Sequence, residues 1–99
     1  MARFAIRYDC PAGPAMVTIP VDRSLVLGRD PACDIVFDDA TVSRRHCEVM
    51  IRDGQARLRH LSTTNATYLN GRLIVGESAL AAGDVLRIPV IEVELVSLG

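Results

Sequence analysis

Apolar residues along this chain come in short runs, many alternating with polar ones, and Gly, Pro or Asp interrupts them every ~8–12 residues. That rhythm predicts an all-β sandwich or barrel, in which each strand buries alternate side chains. Phe4, Ile6 and Tyr8 alternate with Ala5 and Arg7 as a first strand, and two prolines around Ala12-Gly13 make Cys10 to Pro14 a turn. Met16 to Val21 reads as a second strand, with Pro20 marking an edge or an end. Ser24 to Leu27 is a third, stopped at Gly28, and Asp34 to Phe37 is a short fourth. Cys47, Val49 and Ile51 share one face of the next strand, Glu48 and Arg52 the other. Asp53-Gly54 then turns the chain into Gln55 to Leu61, with Ala56 and Leu58 inward and Arg57 and Arg59 outward. Thr67 to Leu69 and Leu73 to Val75 flank Asn70-Gly71, the strongest two-residue hairpin signal in the chain. Ala79 to Ala82 offers a helical turn, but Gly76 and Gly83 flank it too closely for a stable helix. Asp84 to Ile88 and Val90 to Val96, joined at Pro89, complete a set of about ten strands.

Composition narrows this reading. Ninety-nine residues, 49% of them apolar and 23% charged, suit one domain with its own core, spanning residues 1–99. A net charge of −1 leaves no broad basic surface for nucleic acid, so any cation site is local. All eleven basic residues are Arg, which a GC-rich coding genome explains more readily than a need for bidentate phosphate recognition. Cys10, Cys33 and Cys47 show neither a disulfide framework nor zinc spacing, so no metal or cofactor is expected. The N-terminus lacks the apolar stretch of a signal peptide and no run approaches membrane-spanning length. The expectation is a soluble cytoplasmic chain with no membrane partner; nothing in it specifies an oligomeric state.

Three segments between strands carry the chemistry: Gly28 to Asp34, Phe37 to His46, and Leu61 to Ala66. Loops at one end of a sandwich cluster, so these three can meet. Their side chains would bring Arg29, Ser43, Arg44, Thr64 and Asn65 together, a donor-rich set without a carboxylate. Such a set suits a phosphate, which offers charge and three acceptor oxygens. Each gap also has a plainer use. Arg29 could pair with Asp30 or Asp34, Ser43 could be a turn hydroxyl, and Asp38 and Asp39 suit turns.

In order and at matching spacing, Gly28-Arg29, Ser43-x-x-His46, Thr64-Asn65-x-Thr67 and Asn70-Gly71 resemble the forkhead-associated (FHA) domain family. The likeness runs from about Leu25 to Arg87, with flanking strands where the family has them. It implies a SMAD/FHA-type β-sandwich of ten to eleven mostly antiparallel strands, with binding loops at one end. It also implies a non-catalytic signalling module that recognises phosphothreonine in a partner protein, the partner being a Ser/Thr kinase or its substrate. By position, the resemblance assigns Arg29, Ser43, Arg44 and Thr64 to the phosphate and Asn65 to the peptide backbone. Thr41 falls where the family shapes a pocket for the third residue after the phosphothreonine. Gly28, His46, Asn70 and Gly71 fall at architectural positions. The chain departs from the family pattern at His60, commonly Asp, at Thr63, commonly Ser, and at Ala66, commonly Gly. If the last position needs positive φ, Ala costs about 1 kcal/mol and shifts the Asn65 loop.

Two other readings compete. Ser43, His46 and an aspartate are triad residue types, but they lie on one loop without a nucleophile elbow, and no P-loop, GxGxxG or HExxH occurs. The stronger competitor keeps the same fold and binds a protein without phosphate, for scaffolding or oligomerisation.

Overall fold

A computed structural model describes residues 3–99. Eleven strands form two sheets. They are β1 (Phe4–Cys10), β2 (Gly13–Thr18), β3 (Leu25–Gly28), β4 (Ile35–Val36), β5 (Cys47–Arg52), β6 (Gln55–His60), β7 (Tyr68–Leu69), β8 (Arg72–Leu73), β9 (Glu77–Ala79), β10 (Val85–Ile88) and β11 (Ile91–Ser97). One sheet has the order β2-β1-β11-β10-β7-β8 and the other β4-β3-β5-β6-β9. Every pairing is antiparallel except β3 with β4. None of the described residues forms a helix long and apolar enough to cross a membrane.

The alternation in the sequence sets the inner faces. Val49 and Leu58 are directly opposed on β5 and β6, and Leu86 and Val93 on β10 and β11; all four are buried. They meet Ile6, Leu27, Ile88 and Leu95 in one core. Burying each such side chain contributes about 1.5–3 kcal/mol. Phe37 and Val42 also enter this core from the segment between β4 and β5, so that long loop is anchored by apolar burial at both ends.

Three expectations are corrected. The second strand is Gly13–Thr18, not Met16 to Val21, because pairing with β1 carries it back to a two-residue turn at Pro11-Ala12. Ala5, expected outward, is fully buried next to Ile6. The expected set of strands lacks the edge strand Glu77–Ala79, whose last residue opens the Ala79 to Ala82 stretch. The free edge of β6 recruits Glu77–Ala79, whose Glu77 carboxylate bridges Arg52 and Arg57 at 2.9 and 2.6 Å. Gln55–His60 supplies that edge from far away in sequence, so no local pattern marks the partner strand.

Candidate functional site

The β3–β4, β4–β5 and β6–β7 loops are tied together by bonds that cross between them. Gly28, the last residue of β3, lies against the β4–β5 loop so closely that an added Cβ would sit 2.1 Å from the Arg44 carbonyl oxygen. At this contact the Arg29 and Asp30 N–H groups donate to the carbonyls of Ser43 and Arg44, at 2.9 and 3.1 Å. Arg29 Nε donates to the Val42 carbonyl at 3.0 Å, which fixes the root of its guanidinium. The expected alternative, a salt bridge to Asp30 or Asp34, does not form. Asp34 accepts from the Val26 N–H and pairs with Arg23, contacts that, the Val26 bond above all, hold its carboxyl below the usual range. Among the described residues no carboxylate pairs with Arg29.

His46 joins the second loop to the third. Its imidazole is fully buried. Nδ1 accepts the Ser43 N–H at 3.2 Å and Nε2 donates to the Ala66 carbonyl at 2.9 Å, so the ring is neutral with its proton on Nε2. Burial above all, with the neighbouring His60 ring edge-on at 6.0 Å, pushes the His46 pKa down against the raising effect of the Ala66 bond. Both ring nitrogens are committed to backbone groups, leaving neither to act on the Ser43 hydroxyl. The His46 carbonyl also accepts from the Leu61 and Ser62 N–H groups at 3.0 Å.

The hydroxyls and amide that meet above this buttress come from two loops. Ser43 Oγ lies 2.5 Å from Ser62 Oγ, 2.9 Å from Asn65 Nδ2 and 3.4 Å from Thr64 Oγ1. Ser62 Oγ accepts from the backbone N–H groups of Thr64 and Asn65 at 3.2 and 2.9 Å, a turn that folds the loop tip over Ser43. The joined group contains no carboxylate. Ser43, Thr64 and Asn65 thus occupy one locus, half-buried Ser43 and Asn65 beneath exposed Thr64, and exposed Arg29 is anchored beside it through the Val42 and Ser43 carbonyls.

Other candidate residues stand apart. The Arg44 side chain is exposed, and its structural work is done by its carbonyl. The Thr41 hydroxyl is spent on Asp39 Oδ1 at 2.5 Å within a local turn. Asn70 and Gly71 lie at the far end of β7 from the site, with φ of 50° and 82° in a hairpin turn. Asn70 there bonds the side chain of Asp84 and the backbone of Val85. At the departures, His60 Nδ1 bonds the buried Thr67 hydroxyl at 2.8 Å across the base of the third loop. The feared cost at Ala66 does not arise, because its φ is not positive; its contribution is the carbonyl that His46 holds. Ser62 was not a candidate, although a serine followed two and three residues later by Thr64 and Asn65 in a polar loop is a recognisable turn signal.

The FHA domain family model matches residues 25–89, nearly two-thirds of the chain. This chain belongs to the FHA family. Among solved structures, the FHA domain of CT664 from Chlamydia trachomatis superposes with a TM-score of 0.89 at 27% identity, covering 98% of this chain and 99% of that one. An FHA domain solved in a study of phosphothreonine-dependent FHA interactions gives 0.83 at 30% identity, covering 95% of each. The glycogen accumulation regulator GarA of Mycolicibacterium smegmatis is 43% identical over 61 residues, 62% of this chain but only 38% of GarA. The likeness therefore concerns a segment of that regulator, well under half of its length. The eleven strands in two mostly antiparallel sheets, with no helix among the described residues, agree with FHA structures, and FHA domains are binding modules without catalytic activity.

Proposed function

We propose that this FHA domain binds phosphothreonine in a partner protein, a Ser/Thr kinase or its substrate. Arg29, Ser43 and Thr64 hold the phosphate, Arg44 adds charge from the rim, and Asn65 contacts the peptide backbone. Thr41 borders the path of the residues that follow. The observation that carries the reading is that Arg29, unpaired with any carboxylate among the described residues, is anchored to the Val42 and Ser43 carbonyls beside the Ser43–Thr64–Asn65 cluster. A dianionic phosphate with three acceptor oxygens complements this donor array. The phosphothreonine-dependent interactions of a structural neighbour at 30% identity support the same ligand class.

Charge-assisted bonds contribute about 1.5–3 kcal/mol each, so losing Arg29 should weaken binding by roughly 10–100-fold. Fluorescence polarisation against a phosphothreonine peptide library is the test. Binding should disappear with the unphosphorylated peptides and fall in Arg29→Ala with the fold intact. Equal affinity for phosphorylated and unphosphorylated peptides would favour a phosphate-independent scaffold on the same fold.

A further inference from the structure

Ser62 contributes the bond that decides which way the Ser43 hydroxyl proton points. A hydroxyl oxygen has two acceptor positions and one proton. Both acceptor positions of Ser62 Oγ are filled by the N–H groups of Thr64 and Asn65, which can only donate. The short 2.5 Å contact to Ser43 Oγ must therefore carry the Ser62 proton. The opposite assignment would put three hydrogens on an oxygen with two lone pairs.

The consequence passes to Ser43. Its oxygen accepts from Ser62 and, at 2.9 Å, from Asn65 Nδ2, so both of its acceptor positions are occupied. The Ser43 proton is left for the long 3.4 Å contact to exposed Thr64 Oγ1, or for an anion above it. A weak neutral bond is thereby exchanged for a charge-assisted one when a phosphate arrives. The internal acceptor given up is the Thr64 hydroxyl, at the long distance of 3.4 Å.

We propose that Ser62 is a positioning residue for the phosphate site, which fixes Ser43 as an outward donor by occupying its acceptor side. This rests on the phosphothreonine reading and adds to it a residue that does not touch the ligand. Ser62 also shapes the loop tip through Thr64 and Asn65, so loss of binding in a single variant would not separate the two roles. A double-mutant cycle does, because only the hydrogen-bond role acts through the Ser43 oxygen.

The experiment measures phosphothreonine peptide affinity for the wild type, Ser62→Ala, Ser43→Ala and the double variant, with Ser62→Thr as the conservative control. Ser43→Ala should cost roughly 10-fold or more and Ser62→Ala roughly 3–10-fold, with Ser62→Thr near wild type. In the Ser43→Ala background the Ser62→Ala loss should shrink to less than about 2-fold, within the usual error of additivity. Losses that simply multiply, or a Ser62→Thr variant as weak as Ser62→Ala, would overturn the assignment of Ser62 while leaving the phosphothreonine reading intact. A wild type that does not distinguish phosphorylated from unphosphorylated peptide would overturn that reading, and this inference with it.

Discussion

The two ends of β5 and β7 are built on different principles. At one end, Asp53-Gly54 and Asn70-Gly71 make two-residue turns whose four φ angles, 53°, 75°, 50° and 82°, all lie in the left-handed region. That is the geometry of the hairpin turn whose twist suits adjacent strands, and the residue types that tolerate it are the ones present. At the other end, no positive φ occurs anywhere in the three site loops from Arg29 to Asp34, Asp38 to His46 and Leu61 to Ala66. These loops are held by bonds that cross between them: Arg29 to Val42 and Ser43, His46 to Ala66, Ser62 to Ser43. The hairpins are local solutions that fail locally. The site loops are a shared solution, so a change in one is felt in the others.

Gly28 and Gly54 put this difference to the sharpest trial, since the same substitution attacks each through a different mechanism. At Gly28 the backbone angle is ordinary, but a methyl group would meet the Arg44 carbonyl oxygen at 2.1 Å and Cys33 Sγ at 2.9 Å. The obstruction is mainly backbone, so the β4–β5 loop must move. Gly28→Ala should cost about 3 kcal/mol, the upper range for forced overpacking, and should abolish phosphopeptide binding by displacing Arg29 from Ser43. Urea denaturation and fluorescence polarisation measure the two effects. A variant with native stability and affinity would show that the loops are not rigidly coupled.

The buttress comes next in size. His46→Phe keeps an aromatic ring in the core but leaves the Ser43 N–H and the Ala66 carbonyl without their partner, which should cost about 2 kcal/mol. It should also alter the dependence of stability on pH. Because the folded pKa of His46 lies below its ordinary value, the unfolded chain binds the proton more readily. The contribution of the neutral ring is therefore complete above about pH 6.5 and is lost as pH falls from there through the depressed folded value. Protonated Nδ1 could no longer accept from Ser43. Urea midpoints should accordingly decline less between pH 7 and 5 in His46→Phe than in the wild type; parallel declines would assign the slope to other groups.

What the sequence could and could not disclose follows from the same contrast. The hairpins at Asp53 and Asn70 were readable because the backbone angles they need are local and few residues accept them. The inward alternation of Cys47, Val49, Ala56 and Leu58 was readable because burial on one sheet face imposes a period of two. That the loops carrying Ser43, Thr64 and Asn65 meet is legible in their positions after strands; the roles proposed for these residues and for Arg29 come from the resemblance to the FHA pattern. The strand at Glu77–Ala79 was hidden, since what makes it a strand is the open edge of β6. Ser62 was hidden for a related reason. Its turn with Thr64 and Asn65 is local, but its value to the site comes from Ser43, nineteen residues away. The backbone angle at Ala66 is hidden for a similar reason: the family's usual glycine suggests positive φ, but here φ is not positive and the residue serves through the carbonyl that His46 holds.

Gly54→Ala is the smallest predicted effect and completes the comparison. Nothing lies within 4 Å of the position a Cβ would take there, so no packing is disturbed. The only cost is holding an L-residue at φ of 75°, about 1 kcal/mol, reduced by whatever conformational freedom Ala removes from the unfolded chain. Because β5 and β6 remain paired from Cys47–His60 to Arg52–Gln55, the strain is confined to the turn and the site end does not sense it. Denaturation should show a loss of about 1 kcal/mol, and phosphopeptide affinity should stay within about 2-fold of wild type. If affinity falls along with stability, the two ends of the sandwich are coupled through β5, and the rigidity of the site must be sought in the strands as well as in the bonds between its loops.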